Sequence, residues 1–107
     1  MDRDLEISYR SLVQQLNSHY GRASTPAKGA RIQGLLKECA ARWSQVIGLN
    51  LDDAGGELVA ASDALRAASL ALDEAKTKTD RVNGALDKVG DALNALTNLV
   101  ECVKSLG

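Results

Sequence analysis

The chain has 107 residues, a formal net charge of −1, 45% hydrophobic residues and only 3% aromatic residues. It contains 16 Ala and 16 Leu but only 7 Val and 3 Ile, and this balance favours helices over strands. The composition excludes all-β and α/β folds, as well as sites built from an aromatic cage or a row of stacking platforms. The low net charge argues against a polybasic nucleic-acid-binding protein.

The charge is unevenly distributed. Residues 1–48 contain seven Lys or Arg and four Asp or Glu, whereas residues 49–107 contain six and ten. Halves of opposite charge suit a chain that folds back on itself, or two copies that pack antiparallel.

Two shorter helices are predicted first, over residues 4–20 and 26–47. Ser24 or Thr25 is suited to cap the second helix, and Pro26 to occupy its first position. Apolar residues recur at steps of three and four, as on one face of a helix. They are Leu5, Tyr9, Leu12 and Leu16 in the first helix, and Ile32, Leu36, Cys39, Trp43 and Val46 in the second.

A longer helix is predicted over residues 53–106, with Asp52 or Asp53 as its cap. Two seven-residue series run through it without a break, and Thr79 is their one polar member. Such a repeat is typical of a coiled-coil helix. The series are Leu58, Leu65, Leu72, Thr79, Leu86, Leu93 and Val100, and Ala61, Ala68, Ala75, Val82, Val89, Leu96 and Val103.

The alternative is a hinge near residues 77–80, which would give a compact four-helix bundle. Helices on either side of a turn need not share a heptad phase, so the unbroken phase favours the continuous helix. The predicted fold is therefore all-α over residues 1–107, with two shorter helices packed on a long coiled-coil helix. The second helix is expected to pack on the start of the long one, where Ala61, Ala68 and Ala75 allow close approach.

An apolar stripe near the C-terminus follows from this arrangement. If the first helix folds back beside the second, the stripe stays uncovered, and homodimerisation through it is expected; if the first helix continues in line, self-association is optional. Trp43 is a second candidate contact, as a bulky anchor. The stripe, called the C-terminal seam below, consists of Leu86, Val89, Leu93, Leu96, Val100 and Val103.

Residues suited to catalysis or metal binding are scarce. His19 is the one histidine, and Cys39 and Cys102 lie far apart in the sequence. No metal-ligand spacing, phosphate loop or nucleophile–base arrangement is present. The sequence therefore predicts no enzyme activity, no cofactor, no metal and no small-molecule substrate.

The predicted function is a non-enzymatic protein–protein interaction module of the adaptor, assembly or inhibitor type, with itself or another protein as partner. The alternative is a nucleic-acid or regulatory binding protein that uses a basic row on the second helix, namely Lys28, Arg31, Lys37 and Arg42. No apolar run approaches the ~20 residues of a membrane span, and no signal peptide is recognisable. A cytoplasmic location is expected.

Overall fold

The structure is a computed structural model that describes residues 2–106, with the backbone alone at residue 106. Positions 1 and 107 of the predicted domain lie outside the described residues. Four α-helices make up most of the described chain, and it contains no strand, which confirms the all-α fold class. The helices are α1 (Arg3–Gly21), α2 (Pro26–Val46), α3 (Gly56–Ala75) and α4 (Val82–Leu106).

Helices α1 and α2 begin at capping residues. The carboxylate of Asp2 accepts a hydrogen bond from the backbone N–H of Leu5 at 2.9 Å. Thr25 Oγ1 accepts one from the N–H of Lys28 at 3.2 Å, and Pro26 occupies the first helical position, as predicted. Each cap satisfies a backbone donor that has no partner inside the helix. The ends of α1 and α2 lie within one residue of the predicted ends.

The continuous helix predicted over residues 53–106 is wrong, and the alternative with a hinge near 77–80 is correct. Helix α3 ends at Ala75, and one 3-10 turn (Thr79–Arg81) precedes α4. The backbone N–H groups of residues 76–78 bond to carbonyls three residues back, and Lys78 then leaves the helical conformation (φ −133°, ψ 84°). Folding back covers both halves of the heptad series within one chain, so their burial requires no partner.

Helix α3 also begins three residues later than predicted, and neither Asp52 nor Asp53 caps it. Its cap position is Gly55, which has a positive φ of 56° and makes no side-chain capping bond. Positive φ is strained for residues with a Cβ, so the chain reverses at this glycine. Leu51 and Ala54 of the preceding connection are buried.

Parallel neighbours distinguish this bundle from a simple up-and-down arrangement. The hydrogen bonds from α1 to α3 join residues 58 positions apart, and those from α2 to α4 join residues 55 or 56 positions apart. Because the separation stays nearly constant along each pair, the two helices of each pair run parallel. The bonds are Ser11–Ser69 (2.7 Å), Gln15–Asp73 (3.4 Å), Arg31–Asp87 (2.8 Å) and Arg42–Thr97 (3.0 Å).

The contacts between the other helix pairs show which corner of the bundle each helix occupies. The consecutive pairs α1–α2 and α3–α4 are in contact, whereas no Cα of α1 lies within 8 Å of α4, nor any of α2 within 8 Å of α3, among the described residues. Helices α2 and α3 therefore occupy opposite corners, and residues 47–55 cross one end of the bundle diagonally. The expectation that the second helix packs on the alanine-rich face is consequently wrong.

That alanine-rich face packs against α4 instead. Ser69 faces α1, and Ala68 precedes it by one residue, which places the alanine about 100° around the helix, toward α4. Small side chains there let the two backbones approach closely. The fully or almost fully buried alanines of α3 are Ala61, Ala68 and Ala75.

Candidate interaction surfaces

The C-terminal seam lies inside the bundle. Leu86, Val89 and Leu96 are at most 1% exposed, and Leu93 and Val100 at most 5%. Val103, in the last turns of α4, is half-buried and packs against the core. The expectation that this stripe is uncovered is therefore wrong for the folded chain, because it rested on a continuous helix.

Trp43 is half-buried and stacks on Tyr9. The ring centroids are 4.1 Å apart, and the ring planes differ by 3°. Because Tyr9 belongs to α1 and Trp43 to α2, the stack lies between these two helices. The tryptophan predicted as a binding anchor thus joins two helices of its own chain, and such a stacked pair stabilises their contact.

Cys39, one helical turn before Trp43 on α2, is completely buried. Burial, and after it the charge of Glu38, raises the pKa of the Cys39 thiol to about 11. Burial and the neighbouring Cys39 also raise the pKa of the Tyr9 phenol. A thiol of high pKa holds little thiolate at neutral pH, so Cys39 is chemically inert while the bundle stays closed.

The basic row on α2 is divided by its contacts. Arg31 forms an exposed ion pair with Asp87 at 2.8 Å, and Arg42 donates to Thr97 Oγ1 at 3.0 Å. Both guanidinium groups therefore bind α4. Lys28 and Lys37 are exposed, and they lie about two and a half helical turns apart. The predicted row thus presents two separate lysines rather than one continuous basic patch.

The α1–α3 contact includes buried polar groups in addition to the apolar core. Ser8, Ser62 and Ser69 are buried, and Ser11 bonds to Ser69. Two buried oxygen atoms in the described chain, Gln15 Oε1 and Ser62 Oγ, have no hydrogen-bond partner. Unpaired buried polar atoms weaken a contact.

His19 joins the same two helices at their C-terminal ends. Its Nε2 donates to the carbonyl oxygen of Leu72 at 2.6 Å. Because the N–H of Lys76 bonds to Asp73 instead, that carbonyl is one of the orphaned acceptors at the end of α3. His19 thus caps a neighbouring helix, and a cavity of about 130 Å³ beside it is lined by Arg22, Lys28 and Ile32 among others.

A third surface, which the sequence patterns did not reveal, is the outer side of the α1–α3 pair. Ile7, Val59 and Leu70 are 55%, 59% and 58% exposed. None of them belongs to the seven-residue series, which explains why periodicity did not single them out. The available signal was a large apolar residue off the buried stripe. We call these three residues, with Asp63 and Arg66, the α1–α3 face.

Groups suited to other chemistry do not assemble in the part of the chain that the structure describes. It contains no group of three or more His, Cys, Asp or Glu placed to hold a metal ion. None of the described helices is both long and apolar enough for a membrane span. In comparisons with known proteins, no family model, no curated protein and no solved structure matches the chain.

Proposed function

We propose that this chain is a non-enzymatic protein–protein interaction module whose copies associate by exchanging α4. In the exchanged dimer, residues 76–81 become helical, and α3 and α4 form one long helix. Each α4 then packs in the bundle of the other copy, so the C-terminal seam pairs between chains. Exchange of identical elements recreates the same buried contacts, and the free-energy difference is confined largely to the turn.

The shared heptad phase of α3 and α4 is the observation that carries this proposal. Ala75 before the turn and Val82 after it occupy successive equivalent positions of one repeat. A straight helix through the turn would keep both halves on the same side, ready to pair with a second copy. The turn sequence contains neither Gly nor Pro, so nothing in it strongly opposes a helix.

Thr79 is the residue that favours the closed chain over the exchanged dimer. Since α3 ends at Ala75 and α4 begins at Val82, the two-fold axis of an exchanged dimer falls between residues 78 and 79. The two Thr79 side chains would meet there, in the middle of the paired seam. A polar, β-branched side chain at this place weakens the extended helix, whereas in the closed chain Thr79 is exposed in the turn.

Two substitutions at this one position test the proposal in opposite directions. Thr79→Leu fills the central layer of the exchanged dimer, so we expect at least tenfold tighter self-association. Thr79→Pro suits the first position of the turn but breaks a continuous helix, so we expect it to form no α4-exchanged dimer. Light scattering coupled to gel filtration, from micromolar to near-millimolar chain, distinguishes a mass of 11.3 kDa from twice that value.

Particle shape supplies a second readout. The closed chain is 45 Å long, whereas a helix over residues 56–106 would be about 75 Å long. Small-angle scattering should therefore show an elongated dimer for Thr79→Leu, and circular dichroism should show that both variants remain helical. The proposal is wrong if wild type and Thr79→Leu form no elongated dimer at the highest concentration, or if Thr79→Pro forms the same elongated dimer.

The second candidate function, nucleic-acid or regulatory binding through α2, is supported by the four basic residues and one acidic residue of that helix. The engagement of Arg31 and Arg42 with α4 weakens it. A salt titration of binding to nonspecific DNA separates the candidates, because binding through phosphates falls steeply with salt. Steep dependence that is lost in Lys28→Ala and Lys37→Ala would favour the second candidate.

A further inference from the structure

We propose that the α1–α3 face is a two-fold interface for a second copy of this chain, separate from the exchange of α4. The face combines exposed apolar side chains with a pair of opposite charges, Asp63 and Arg66. Its residues are arranged so that a copy rotated by 180° presents the complementary groups. The occupant is therefore the same face of another molecule, with the two α3 helices antiparallel.

The register of α1 against α3 places the apolar residues. Ser11 bonds to Ser69, and Gln15 bonds to Asp73, so positions on α1 lie level with positions 58 residues later on α3. Ile7 is therefore level with residue 65, close to midway between Val59 and Leu70. These two residues are separated by about 16 Å along α3, one on each side of Ile7.

A two-fold axis through this midpoint makes the face self-complementary. It brings Val59 of one copy opposite Leu70 of the other, and the two Ile7 side chains opposite each other. It also brings Asp63 of one copy opposite Arg66 of the other, because this pair has the same midpoint along α3 as Val59 and Leu70. The two residues already interact within one helix at 3.5 Å, so the dimer would contain a four-charge network around an apolar centre.

Helical periodicity places these groups on one side of α3. Val59, Asp63, Arg66 and Leu70 follow at steps of four, three and four, which is one stripe of a helix. Their side chains are all more than half exposed. The stripe borders the residues that contact α1, which keeps it next to Ile7.

Charge reversal tests the predicted pairing. The measurements use the Thr79→Pro background, so that any dimer detected does not depend on exchange of α4. Asp63→Arg and Arg66→Asp each place like charges opposite one another, and we expect at least tenfold weaker association in sedimentation equilibrium. The double variant, Asp63→Arg with Arg66→Asp, should restore association to within threefold. Asp91→Arg, on the exposed surface of α4, is the matched control and should leave it unchanged.

Cross-linking tests the register. In a Cys102→Ser background, Ile7→Cys should form a disulfide-linked dimer by itself, since it lies at the axis. Val59→Cys should not link to itself, because the two copies would be about 16 Å apart, but should link when mixed with Leu70→Cys. A chain that stays monomeric in the Thr79→Pro background, or Val59→Cys that links to itself as readily as the mixture, overturns the proposal.

Discussion

The two sides of α3 show how differently neighbouring helices can be held. Toward α4, the side chains are small and apolar, with Ala61, Ala68 and Ala75 buried. Toward α1, they are polar, with Ser62, Ser69 and a carbonyl that accepts from His19. The first contact stabilises by close packing, whereas the second adds individual hydrogen bonds to the apolar packing of the α1 leucines.

Helix α2, like α1, is held in part by individual side-chain contacts. It buries three side chains, Ile32, Cys39 and Val46, whereas α3 of similar length buries seven. Its remaining attachments are the Tyr9–Trp43 stack and the bonds from Arg31 and Arg42. The C-terminal hairpin is therefore the better-packed half of the bundle, and the N-terminal hairpin is the half that opens at lower cost.

The largest expected effect comes from enlarging an alanine between α3 and α4. Ala68→Leu should lower the free energy of unfolding by about 3 kcal/mol, because the close contact leaves no room for three added carbons. Ala67→Leu, one residue away on the exposed surface, is the matched control and should change it little. Urea denaturation measures both. Equal effects for the two variants would contradict the close packing assigned to Ala68.

Alkaline pH should lower the free energy of unfolding through the Cys39 thiol of α2. The Cys39 thiol has a pKa of about 11 in the folded chain, above its value in the unfolded chain. Between the two values the unfolded chain loses a proton that the folded chain retains, so stability falls as pH rises toward 11. The expected loss is roughly 2 kcal/mol. In Cys39→Ala this part of the pH dependence should vanish; a slope that persists unchanged would assign it to other groups.

A double-mutant cycle measures the polar side of α3. Ser69→Ala should cost about 1 kcal/mol, since it leaves the Ser11 hydroxyl without its partner. Removing both hydroxyls, in Ser11→Ala with Ser69→Ala, should restore most of the stability. Thermal or urea unfolding gives the coupling energy. Strictly additive losses would show that the 2.7 Å contact contributes no specific bond.

The smallest expected effect is a gain. Ser62→Ala should stabilise the chain by about 0.5–1 kcal/mol, because it removes a buried hydroxyl that has no partner. Part of any serine-to-alanine gain in a helix is intrinsic propensity, so Ser44→Ala on the exposed side of α2 is the control. The gain at position 62 should exceed the gain at position 44 in the same unfolding measurement.

Local signals in the sequence predicted the helices well. Thr25 and Pro26 marked the start of α2, and the heptad series marked the buried stripe of α3 and α4. The turn between them was misjudged because an unbroken phase is compatible with both a straight helix and a hairpin. Thr79, the one polar member of the two series, was the available sign of a break.

The pairing of helices could not be predicted from these signals. The contacts between Ser11 and Ser69 and between His19 and Leu72 join positions more than fifty residues apart. No short-range pattern specifies them, because they depend on which corner each helix occupies. The α1–α3 face could not be predicted for the same reason, because Ile7 and Leu70 lie on one surface only once α1 and α3 pack side by side.

The nine residues of the diagonal connection, 47–55, also determine the electrical asymmetry of the molecule. Helix α2 holds four basic residues and one acidic residue, and α3 holds four acidic residues and one basic residue. A shorter connection would favour α2 and α3 as neighbours, and their charges would largely cancel. Because the chain crosses the bundle instead, it has a positive edge and a negative edge, and its charge separation runs across the long axis of the molecule.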